Sequence, residues 1–147
     1  MKNNRIAIGA DHGGFRLKER LKPFLRNKGF IVIDFGTFTP APCDYPKIGV
    51  KLVKEISQGK FNRAILICKT GIGFSILANR FRNVRAALCY SLKAARLSRQ
   101  HNNSNVLIMG ASFIQESQAK RILNVWLDTE FEAGRHSRRM RQIEKYC

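Results

Sequence analysis

A cysteine stands where a short apolar run gives way to a glycine-bearing turn, in ILICKTGIG at residues 65–73. Ile65, Leu66 and Ile67 suit a buried strand, but packing alone does not call for a thiol at its tip. Gly71 and Gly73 let the backbone curl without a Cβ clash, so N–H groups opening the next helix converge on an anion. The positive end of that helix favours the thiolate of Cys68, which then acts as base or nucleophile. The competing account is a small buried hydrophobe, a common use of free cysteine.

Familiar anion loops do not fit. A dinucleotide fingerprint needs a third glycine where Ile76 stands, and a P-loop needs lysine followed by serine or threonine after its last glycine. A C-x5-R phosphatase loop needs arginine at position 74, where the chain has Phe74. Two further groups join the cysteine. Asp11 and His12, in GADHGG, follow one strand and precede a helix, while His101, in LSRQHNNSN, is read as lying just past a helix end. Both histidines are expected to face one crevice, with surface or capping roles as the alternative. The cysteines at 43, 68, 89 and 147 and the histidines at 12, 101 and 136 show neither C-x-x-C nor zinc-ligand spacing, so reduced thiols and no structural metal are expected.

Alternating periodicities supply the frame. Strands are expected at Arg5 to Ala10, Phe30 to Phe35, Ala64 to Cys68, Val84 to Cys89 and Val106 to Met109. Phe15, Leu17, Leu21, Phe24 and Leu25 share one face of a helix that Gly29 stops. Ile48, Leu52, Val53 and Ile56 mark a second helix. Others run from about Gly73 to Arg80, near Leu92 to Gln100 and from about Gln115 to Leu127, with a last one closing the chain. Short strands alternating with longer helices predict a five-stranded parallel sheet in a three-layer α/β/α sandwich. Ligands in such sheets bind at the carboxyl ends of the strands. Chemistry is therefore expected at Asp11 and His12, at Gly36 to Pro46, at Cys68 to Gly73 and at Gly110 to Phe113. Strand order is not legible from periodicity.

Size and charge bound the rest. A chain of 147 residues fits one domain, 1–147, and no run of eighteen apolar residues could span a bilayer. The N-terminus lacks the long apolar core of a secretory leader, so a cytoplasmic location is expected. The net charge of +17 raises the question of nucleic acid, but the cations are spread along the chain with few interleaved aromatics, which argues against it. The run RHSRRMRQ is the exception to that spread.

The strings GADHGG, DYP, ICKTGIGFSILANR, LSRQHNNSNVLIMG and FEAGRH, in this order and spacing, resemble the ribose-5-phosphate isomerase B family, which includes galactose- and allose-6-phosphate isomerases. The resemblance runs from Arg5 to about Ile143. It implies a Rossmann-like fold, no cofactor, a phosphorylated sugar as substrate and a place in the non-oxidative pentose phosphate pathway. It also implies homodimers, sometimes paired into tetramers, whose active sites draw on both subunits. By the same resemblance, Cys68 moves a proton between C2 and C1, Thr70 assists transfer between the oxygens, and His101 opens the ring. N–H groups from Gly71 to Ser75, including Gly73, stabilise the enediolate. Asp11 and Asn102 bind hydroxyls and Tyr45 lines the pocket. His12, Arg135 and Arg139 surround the phosphate, a dianion that suits paired guanidiniums. Arg138 and Arg141 are read as solvated.

Two positions depart from the family pattern: Lys69 stands where glycine is common, and Ser112 where arginine often contributes to phosphate binding. The reading from another class is a non-catalytic basic module that binds nucleic acid. Salt-dependent binding without isomerase activity would mark it.

Overall fold

The computed structural model describes residues 4–147. The chain runs β1 (Arg5–Ala10), α1 (Phe15–Asn27), β2 (Ile31–Asp34), α2 (Tyr45–Ser57), β3 (Ala64–Cys68) and α3 (Ile72–Ala78). It continues through β4 (Ala86–Leu88), α4 (Leu92–Asn102), β5 (Val106–Gly110), α5 (Glu116–Asp128) and α6 (Arg135–Glu144). All five strands are parallel, in the order β2-β1-β3-β5-β4.

Side chains alternate across the sheet and divide the core in two. Ile6, Ile8, Ala10, Ile65, Ile67, Leu107 and Met109 pack with Leu17, Leu21 and Leu25 of α1 and with Ile122, Leu123 and Trp126 of α5. On the other face, Ala7, Leu66, Cys68, Val106 and Ile108 meet Leu52, Val53 and Ile56 of α2 and Phe74 and Ala78 of α3. Each large aliphatic side chain removed from water in this way contributes about 1.5–3 kcal/mol. The three-layer α/β/α sandwich expected from the alternation is the fold observed.

Strands β1, β3 and β5 are buried throughout beyond Arg5, and their continuous apolar runs match their observed bounds within a residue. The two edge strands are shorter than expected. In β4, Val84 belongs to a turn, its N–H donating to Phe81 O at 3.3 Å, and pairing with β5 begins at Ala86. Helix α1 carries an unforeseen buried cation: Lys18 is 0% exposed, and its Nζ lies 2.6 Å from Asp34 Oδ2. Lys22 meets the same carboxylate oxygen at 2.8 Å, and both ammonium groups hold Asp34 below the usual carboxylate range against the opposing effect of burial. Among the described residues, no helix is long and apolar enough to cross a membrane.

Candidate active site

Strands β1 and β3 are neighbours, with Ala10 opposite Ile67, so the loops that follow them emerge side by side. The chain passes from β1 outward to β2 and then back across to β3, which makes this gap a topological switch point. Asp11 is 7% exposed and its Oδ1 accepts the Gly14 N–H at 3.1 Å, closing the first turn. The exposed His12 accepts the Cys43 N–H on Nδ1 at 3.2 Å, which ties the loop after β2 to the loop after β1 and leaves the neutral ring's proton on Nε2.

Cys68 ends β3 on the face packed by α2 and α3, 5% exposed, and its Sγ accepts the Gly71 N–H at 3.0 Å. Gly71 sits at φ +82°, a left-handed conformation that a side chain resists, and an added Cβ would come within 2.4 Å of Leu88 Cδ1. Gly73 has a different use from the one expected. It lies within α3 rather than bending the loop, and its lack of a side chain admits Tyr45, whose Cζ would be 2.5 Å from a Cβ there. Tyr45 opens α2 and meets Phe74 edge-on, with ring centroids 5.4 Å apart.

Thr70 accepts the Ile72 N–H on Oγ1 at 3.2 Å, and its carbonyl accepts the Tyr90 hydroxyl at 2.6 Å. Ser75 is not a cradle donor, because its N–H is committed to Gly71 O at 3.0 Å. The donors left at the start of α3 are those of Gly73 and Phe74. Lys69 and Ser112 are both exposed, and the Ser112 N–H donates to Lys69 O at 2.9 Å. Burial pushes the Cys89 thiol up to about 11, with Ser98 opposing, so that thiol stays protonated near neutral pH.

His101 is elsewhere. The sequence reading placed it beyond a helix end and facing the same crevice as His12; the structure puts it in the last turn of α4. Because α4 leaves β4 at the carboxyl edge of the sheet, it finishes at the amino edge, where Asn103 caps it at φ +47° before the chain enters β5. The five residues of β5 separate that edge from Gly110, the partner of Cys68, by about 13 Å. Asn102 is at the same edge, its Nδ2 3.6 Å from Met140 Sδ of α6.

Arg135 and Arg139 belong to α6, which packs on α4, so they lie with His101 and not with His12. They are exposed and one helical turn apart on a common face, as are Arg138 and Arg141 in their own positions toward solvent. His136, between the two arginines in sequence, stacks its ring on His101 with centroids 4.3 Å apart and planes 12° apart. Glu132 Oε2 lies 3.6 Å from His136 Nε2. Ligand atoms of His101, Glu132 and His136 fall within 4.8 Å of one another.

The expected residues thus divide into two half-sites at opposite ends of one sheet. Asp11, His12, Tyr45, Cys68, Thr70, Gly71, Gly73 and Ser75 are at the carboxyl edge; His101, Asn102, Arg135 and Arg139 are at the amino edge. Sequence reasoning did not pick out Tyr90, Glu132 or His136. Tyr90 was within reach, since it follows a strand at the carboxyl edge. His136 and Glu132 were not, because their significance comes from a ring that stacks across from another helix.

Known proteins resemble this chain in both sequence and fold. Residues 6–143 match the family model described as Ribose/Galactose Isomerase. Ribose-5-phosphate isomerase B of Escherichia coli is 41% identical over 139 residues, covering 95% of this chain and 93% of that protein. A solved structure of Clostridium thermocellum ribose-5-phosphate isomerase B superposes with a TM-score of 0.94 at 42% identity, covering 97% of this chain and 96% of that one. That of Mycoplasma genitalium ribose-5-phosphate isomerase B, with bound ribulose-5-phosphate, gives 0.93 at 38% identity, covering 97% and 95%. With a model match over almost its whole length and relatives this similar on the same fold, the chain belongs to the ribose/galactose isomerase family.

Proposed function

We propose that the protein interconverts ribose 5-phosphate and ribulose 5-phosphate through an enediolate, in sites shared between two copies of the chain. The observation that supports it is the division of the reactive groups between opposite ends of the sheet. The carboxyl edge has a base and oxyanion donors, whereas the amino edge has a second proton carrier and paired guanidiniums. Each half lacks what the other holds. A two-fold dimer that sets the carboxyl edge of one protomer against the amino edge of its partner completes two equivalent sites.

In that arrangement Cys68 takes the proton from C2 of the open aldose and returns it to C1. Thr70 passes the hydroxyl proton between O2 and O1. The developing oxyanion is met by the N–H groups at the start of α3. Asp11 and Asn102 hold sugar hydroxyls against the Tyr45 wall, and His101 opens the furanose ring. His12 binds the phosphate together with Arg135 and Arg139, whose forked guanidiniums match its oxygens. Lys69 and Ser112 lie at the rim, where they bear on the choice of sugar.

Turnover of ribose 5-phosphate, allose 6-phosphate and galactose 6-phosphate by one preparation tests the assignment. The five-carbon sugar is expected to react fastest, and a faster six-carbon sugar would move the substrate within the family. Loss of one charge-assisted phosphate contact in Arg139→Ala is expected to raise KM for ribose 5-phosphate by about 10–100-fold with little change in kcat. An unchanged KM would place this arginine outside the phosphate site.

A further inference from the structure

His136 is 7% exposed and presents its face to the ring to which sugar opening is assigned. Glu132 stands against its Nε2 at 3.6 Å, and the Glu132 N–H donates to Gln100 O of α4 at 3.0 Å. The segment carrying Glu132 is thereby hooked to the helix that ends in His101. Asn102 and Met140 make a second contact between α4 and α6, at 3.6 Å.

We propose that His136 is a positioning residue for His101, a flat wall presented from α6 that keeps the catalytic imidazole in one orientation while it moves protons during ring opening. The proposal rests on the assignment of ring opening to His101. In that step the C1–O4 bond breaks with its electron pair going to O4, which gains a proton, while the O1 hydroxyl loses one and C1=O1 forms. The proton carrier must therefore stay aligned with two oxygens of one ring, and misplacement by about 1 Å costs on the order of 10²-fold. A half-buried histidine at a helix end has rotamer freedom that a parallel ring at 4.3 Å removes.

The wall works best uncharged, because a cation stacked on His101 would oppose its protonation. Burial, His101 itself and the Arg135 and Arg139 guanidiniums all hold His136 below the ordinary histidine value, with Glu132 opposing them.

Ribulose 5-phosphate separates this role from a general structural one. Its C5 oxygen carries the phosphate, so it has no furanose ring to open, and exchange of its C1 hydrogen with deuterated water needs Cys68 but not His101. His136→Ala is expected to lower kcat for ribose 5-phosphate by about 10–100-fold while C1 exchange on ribulose 5-phosphate stays within about 3-fold of wild type. His136→Phe, which restores a flat ring without a titrating nitrogen, is expected to recover most of the loss. Unchanged turnover in His136→Ala, a parallel fall of exchange and turnover, or failure of phenylalanine to rescue would each overturn the proposal. Absence of isomerisation by the unaltered protein would instead sink the underlying assignment, and this role with it.

Discussion

Cys68→Ala is expected to lower kcat for ribose 5-phosphate by at least about 10³-fold while the protein stays folded and still binds the sugar. Cys68 closes β3 at the switch point beside Asp11, with its sulfur on the Gly71 N–H at 3.0 Å. Alanine removes that acceptor and leaves one N–H without its partner, at a cost of about 1 kcal/mol, or about 2–4 °C in melting temperature. A change of that size does not unfold a domain, so a collapse in turnover would report chemistry. Cys68→Ser sharpens the comparison, because the hydroxyl keeps an acceptor for Gly71 but is a far weaker acid. Both variants are expected to be inactive, with circular dichroism spectra like that of the parent. Retention of more than about a tenth of the activity in either would remove Cys68 from the proton path.

His101→Ala is expected to slow ribose 5-phosphate turnover by about 10²–10³-fold, the usual worth of a positioned acid or base. Its effect is distinct from that of Cys68→Ala. Ring opening is lost and the enediolate step is not, so C1 exchange on ribulose 5-phosphate should persist in His101→Ala and vanish in Cys68→Ala. Loss of exchange in both would mean that His101 also serves the hydrogen transfer.

How much of this was legible in the sequence depends on the range of the interaction involved. Strand β3 could be bounded from its apolar run alone, since every residue from Ala64 to Cys68 is buried. Edge strand β4 could not, because Val84 looks like a strand residue and only its turn contact with Phe81 removes it. Lys18 interrupts an otherwise apolar helix face, and the reason is Asp34 on another element, sixteen residues away. In the sequence Gly73 reads as a loop-former beside Gly71, yet the side chain that needs its bareness, Tyr45, is distant in sequence. The placement of His101 is different in kind. A helix that follows a parallel strand must run back to the amino edge, so its end cannot share a crevice with strand tips of the same chain. Strand–helix alternation already contains that conclusion, and the structure makes it explicit.

The central claim, that one site needs two chains, is open to direct test by mixing the two inactive variants. Random assortment of Cys68→Ala and His101→Ala protomers makes about half of the dimers mixed, and each mixed dimer has one site with both residues intact. Co-refolded or co-expressed variants are therefore expected to regain about one quarter of wild-type turnover, although neither is active alone. No gain over the separate variants, in a preparation shown to contain mixed dimers, would contradict the shared site.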